Sequence, residues 1–195
     1  LNTAQHRHGY AALALATALH FTAHAERTFV GILEADSYQS VIYGASAFSQ
    51  VSDLPVALDM TRSALSRNFA IPSFSGVSTL DQLRIVQTVD PAQPFSRSNP
   101  ANVAIIPLAD SGATVLGSFS AAYATHVEKG PFHFFDAPSD TNLEAHVAVA
   151  VSGRHLMTSA SREALIWAWD NRSRLIDAPA QTIPGTLRVF VNPQR

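Results

Sequence analysis

Hydrophobic and polar positions along this chain follow two rhythms, one of helical period and one of period two. Tyr38, Val41, Ile42, Ala45 and Phe48 recur at helical spacing behind Asp36-Ser37, whose side chains can accept the free N–H groups of a first turn. A second helix is predicted from Asp53, with Pro55 just inside its start, Leu58, Leu65 and Phe69 on its apolar side, and Pro72 closing it. The helical pattern returns over Ser111–Ala124, where Val115, Leu116, Phe119, Ala122 and Tyr123 face inward. It returns again behind Ser161, with Leu165, Ala168, Trp169 and Ile176 on one face.

Period two governs Leu83–Val89, with Leu83, Ile85 and Val89 on one side and Arg84, Val86 and Thr88 on the other. Thr28–Leu33, Phe132–Phe135, His146–Val151, His155–Ser159 and Leu187–Val191 are further predicted strands, and Ser152-Gly153-Arg154 is a hairpin link. Asn102–Leu108 is almost continuously apolar, as expected of an interior strand covered on both faces. Ser73–Asp81, the proline-bearing Asp90–Asn102, Lys129-Gly130-Pro131 and Asp136–Asp140 are connections.

The resulting string is β-α-α-β followed by β-α-β-β-β-α-β. It predicts an α/β (α+β) fold: a mixed sheet with helices packed mainly on one face, and a second part ferredoxin-like in element order. Ala35–Ile42 also echoes Ala109–Leu116, each a strand end, an Asp-Ser pair and a helix start. Residues 26–90 and 101–195 are therefore expected to form two related units within one domain, although capping chemistry and helix periodicity alone can produce the same string.

The first 25 residues change the picture. A short polar stretch with Arg7 precedes a small, apolar run from Tyr10 to Phe21, and Ala23-His24-Ala25 offers small residues where a signal peptidase cuts. Residues 1–25 thus read as a secretory signal, with an apolar core too short to span a membrane. The domain proper is then 26–195, a length able to bury roughly 70% of its unfolded surface without a metal or cross-link. Asn192–Arg195 resembles a turn leaving the last strand, so a product truncated at its C-terminus is expected.

Composition mainly excludes. The net charge of −2 becomes −3 once Arg7 is removed with the leader, Lys129 is the only lysine, and no basic cluster forms, so no nucleic-acid surface is expected. There is no cysteine, which rules out disulfides, thiol nucleophiles and thiolate metal sites. After the leader no apolar run reaches membrane-spanning length.

Candidate chemistry is sparse. His133 and Asp136 are three apart on a strand and point to opposite faces, and His146 and His155 are not register partners across their hairpin. No helical ligand pair and no G-x-S-x-G elbow is present, so no catalytic, cofactor or metal residues are assigned. Asp36, Ser37, Asp110 and Ser111 lie where strands pass into helices, at natural anion sites, yet an aspartate cap already supplies the negative partner. Trp167 and Trp169 are two apart on one helix, which leaves Trp167 as the candidate exposed anchor for a partner. Asn171-Arg172-Ser173 matches a glycosylation sequon but falls in a predicted helix, so it is read as coincidence.

A leader, a strand, Ala35–Ser40 opening a helix, the Arg154–Ser161 strand-to-helix step and the late Ile183–Val189 strand resemble uncharacterised exported bacterial proteins known as domains of unknown function. The resemblance implies an envelope location and repeated βα units, and no activity. The expected function is an exported binding or scaffold module for an unknown protein or small-molecule partner. Two alternatives stand beside it: an envelope hydrolase using Ser and His from the strand-to-helix loops, and an inhibitor-like domain that docks a protein on a sheet edge.

Overall fold

The computed structural model describes residues 27–41, 54–92, 101–139, 143–176 and 187–191. The expected leader and its cleavage point, the positions from Ile42 onward of the helix expected behind Asp36-Ser37, Pro94, Pro100, the tail from Asn192 and Ile183–Gly185 lie outside these residues. The described elements are β1 (Thr28–Ala35), α1 (Leu54–Asn68), β2 (Leu83–Val89), β3 (Ala101–Pro107), α2 (Ala113–Ala122), β4 (Thr125–Lys129), β5 (Phe132–Asp136), β6 (His146–Ser152), β7 (His155–Ser159), α3 (Arg162–Asp170), α4 (Arg172–Ile176) and β8 (Leu187–Val191). Residues 38–41 are helical and open the helix expected behind Asp36-Ser37.

The strands form one eight-stranded sheet in the order β4-β5-β6-β7-β3-β2-β1-β8. Helices and an extended sheet together make a mixed α/β fold, weighted towards sheet. Every pairing is antiparallel, so the sheet is not mixed in strand direction. The reason lies in where the helical connections deliver the chain. The crossover through α2 carries it from β3 to β4, past β5, β6 and β7. The crossover through α3 and α4 carries it from β7 to β8, past β3, β2 and β1. Each delivered strand lands on an outer edge, beside an antiparallel neighbour. A ferredoxin-like arrangement needs helix-linked strands separated by a single strand, and here three intervene, so that expectation is not met.

Side-chain alternation divides the core in two. Ala104 and Ile106 of β3 join Ala35, Leu83, Val147, Val149, Leu156 and the α2 residues Val115 and Phe119 on one face. Ala101, Val103 and Ile105 join Val86, Ala148, Ala150, Met157 and the α3 residues Ala164, Leu165 and Ala168 on the other. The described helices therefore cover both faces rather than mainly one, and this is why β3 reads as an unbroken apolar run. The predicted last helix is two pieces: Ser161 caps α3 through Ala164 N at 3.2 Å, and the chain bends at Asn171 before α4 begins.

One strand escaped prediction. β4 is exposed at all five positions, Thr-His-Val-Glu-Lys, and a strand whose only aliphatic residue is Val127 carries no apolar alternation. The helix expected up to Ala124 stops at Ala122 to make room for it.

Candidate functional site

The largest convergence of chemically active side chains among the described residues lies on the hairpin formed by β4 and β5. Gly130 adopts φ 62 at the first place of the two-residue link, a conformation that glycine takes without strain, and Pro131 follows. Closing the turn there pairs Lys129 with Phe132 and Glu128 with His133. His126 lies two residues before Glu128 and so shares its face, together with His133. His126 Nε2 is 3.0 Å from His133 Nδ1, and Glu128 Oε1 lies 3.4 Å from His133 Nδ1 and 3.6 Å from His126 Nε2.

The rings are seated on the core. His126 stacks on Phe135, with centroids 4.4 Å apart and planes 12° from parallel, and Phe135 is buried against Phe119 of α2 at 5.1 Å. Burial pushes the His133 imidazole below its usual pKa, while the carboxylate of Glu128 pulls the other way. One imidazole must donate and the other accept across the 3.0 Å contact, so at least one ring is neutral in this arrangement.

The opposite face of the same strands holds a separate cluster. Asp136 accepts hydrogen bonds from His146 at 2.7 Å and Thr125 at 2.9 Å, with Arg162 at 4.0 Å. These contacts, His146 first, hold the Asp136 carboxyl below the usual carboxylate range. Arg162 also lies over the Phe134 ring at 4.7 Å, which ties the start of α3 to the hairpin.

The residues singled out from sequence sit elsewhere. Ser37 Oγ accepts from Ser40 N at 3.0 Å while Ser40 Oγ accepts from Ser37 N at 3.1 Å, a reciprocal cap of the helix start. Asp36 is exposed beside it. Asp110 accepts from Thr114 Oγ1 and, at 2.7 Å, from Gly112 N, and both bonds lower its pKa. Ser111 is exposed in the same turn. Asp110 and Ser37 thus organise backbone at the beginnings of helices. Because β1 and β3 both run antiparallel to β2, the two turns lie at the same end of the sheet. Trp167 is half-buried and, like Trp169, packs against the second core.

A hollow of about 300 Å³ opens at that end, lined in part by Arg84, Arg154 and His155. Its cations serve the fold: Arg84 pairs with Glu34 at 2.8 Å and donates to the Leu175 and Ile176 carbonyls, and Arg154 donates to Leu108 O at 3.2 Å.

His133 and Asp136 lie on opposite faces as expected. His146 and His155 are register partners of other residues, Asp136 and Ser152. Sequence reasoning missed His126 and Glu128 because their strand went unrecognised. The usable signal was the Gly130-Pro131 link: counting outward from it sets Glu128 opposite His133.

The chain matches no protein-family model, no curated protein and no solved structure. Its class is therefore defined by its own architecture, an antiparallel eight-stranded sheet covered by helices and ending in an exposed polar edge. Among the described residues no helix is long and apolar enough to cross a membrane.

Proposed function

We propose that this chain is an exported binding and scaffold module that assembles through the outer edge of β4, and that the strand it accepts is β4 of a second copy. One observation carries the reading. Among the described residues β4 is the last strand of the sheet, exposed along its whole length, and its sequence is complementary to itself when run antiparallel. Pairing centred on Val127, itself 59% exposed, sets His126 of one copy opposite Glu128 of the other and Thr125 opposite Lys129. A ring N–H of His126 can donate to the Glu128 carboxylate opposite it, whereas like charges set opposite each other would oppose a register. Lys129 and Glu128 would repel many foreign strands, and in this register neither meets its own sign. Support for export is the layout of residues 1–25.

Five paired residues bury less than the roughly 1,200 Å² of a standard interface, so the association is transient, with a dissociation constant on the order of 0.1–1 mM. Sedimentation velocity across a concentration series tests the proposal. Wild-type chain should shift towards a dimer. Val127→Lys and Val127→Glu, which place like charges face to face, should each remain monomeric, and their mixture should associate. A wild-type chain that stays monomeric at millimolar concentration, or a Val127→Lys chain that dimerises unchanged, overturns the proposal.

A further inference from the structure

The His126, Glu128 and His133 cluster has a geometry that a hydrogen-bonded surface group does not require. The three facing atoms form a nearly equilateral triangle with edges of 3.0, 3.4 and 3.6 Å. A tetrahedral zinc ion with bonds of about 2.0–2.1 Å holds its ligand atoms about 3.3–3.4 Å apart. The observed edges bracket that value, and all three atoms belong to the same set of potential donors. We propose that His126 Nε2, Glu128 Oε1 and His133 Nδ1 bind one divalent transition-metal ion, zinc in the first place.

The donor set selects the class of ion. Two imidazoles and one carboxylate suit zinc, copper, nickel or cobalt, whereas calcium and magnesium favour all-oxygen surroundings. The scaffold suits the task as well. Hairpin register fixes Glu128 against His133, and the stack on Phe135 fixes the plane of His126, so the ligands are arranged before the ion arrives. Imidazole must be neutral to coordinate, so binding should weaken as the solution is made acidic. Three protein ligands leave the fourth place of a tetrahedral ion to water or to a donor on another molecule.

This proposal rests on the triangle of ligand atoms and not on self-association, so it is tested on the monomeric Val127→Lys chain as well as on wild type. After treatment with a chelator and its removal, zinc is titrated by calorimetry and cobalt by visible absorption. One ion per chain is expected, with the intense bands of tetrahedral cobalt. Nuclear magnetic resonance of the imidazoles should show zinc moving His126 and His133 and leaving His146 and His155 in place. His133→Ala and Glu128→Gln should each weaken binding by more than about tenfold. Asp136→Asn and His146→Ala, on the other face, should bind as wild type does. Absence of binding at 100-micromolar-order zinc overturns the proposal. So does binding that survives His126→Ala combined with His133→Ala, or zinc shifts confined to His146 and His155. The wild-type resonance experiment decides the matter even if a ligand variant fails to fold.

Discussion

Replacing Glu34 by glutamine removes one charge from a buried pair and leaves its shape almost unchanged. Glu34 and Arg84 are direct cross-strand partners between β1 and β2, with side chains only 5% and 7% exposed and 2.8 Å between Arg84 Nε and Glu34 Oε1. The guanidinium also donates to the Leu175 and Ile176 carbonyls at 2.7 and 2.8 Å, so it fastens the end of α4 to the sheet. Taking away one member of such a pair strands the other charge in a poor solvent, at a cost of about 3–5 kcal/mol. Gln82, which donates to Glu34 at 3.0 Å, can still donate to the new amide, which places Glu34→Gln near the lower end, ~3 kcal/mol. Arg84→Met loses the same pairing and frees two carbonyls, at ~4 kcal/mol. The two changes together should cost ~4 kcal/mol rather than their sum, because the stranded charge is gone, a coupling of ~3 kcal/mol. Urea unfolding of the four proteins with an unchanged m-value measures this, and thermal midpoints should fall by roughly 10 °C in Glu34→Gln. A single-variant cost below about 0.5 kcal/mol, or simple additivity, would refute the assignment of this pair as a closed, desolvated unit.

Two further outcomes follow from the packing. Burial, with a smaller push from Glu144, raises the Tyr123 hydroxyl from 10.0 to about 12. The unfolded chain ionises first, so the stability held below pH 10 falls as pH rises towards 12, by up to ~3 kcal/mol; urea unfolding at pH 9 and above should lose that dependence in Tyr123→Phe, and an identical alkaline profile in both proteins would exclude Tyr123 as its cause. At Gly31 an added Cβ would sit 2.5 Å from the Phe190 carbonyl oxygen, so Gly31→Ala should loosen β8 from β1 at a cost of about 2 kcal/mol, seen as faster amide exchange in β8, whereas unchanged exchange would contradict the close approach.

Periodicity located individual strands well and said little about their partners. β2, β7 and β8 have the bounds expected from alternation and turn residues, and β3 differs by one residue at each end. Whether helix-linked strands become neighbours is decided by long-range packing, and here both crossovers run to the far edges. Hence the antiparallel sheet and the helices on both faces were hidden. Ser37 and Ser161 were legible as caps because capping is a local bond between residues a few positions apart; Asp110 instead closes the turn before α2, whose cap position is Gly112 with no side-chain bond. His126, Glu128 and His133 were not, because their meeting depends on an edge strand whose polar residues give no periodic signal. Trp167, placed by helical spacing at an edge, is half-buried and packs, as Trp169 does, against the second core.

The central claim is that the outer edge of β4 is the working surface. Amide hydrogen exchange of wild-type chain, followed residue by residue at low and at millimolar concentration, tests it most directly. Outward-facing amides of Thr125–Lys129 should gain protection as concentration rises, and Val127→Lys should abolish the gain. Protection that does not change with concentration in β4, or that appears in another element instead, would contradict the account.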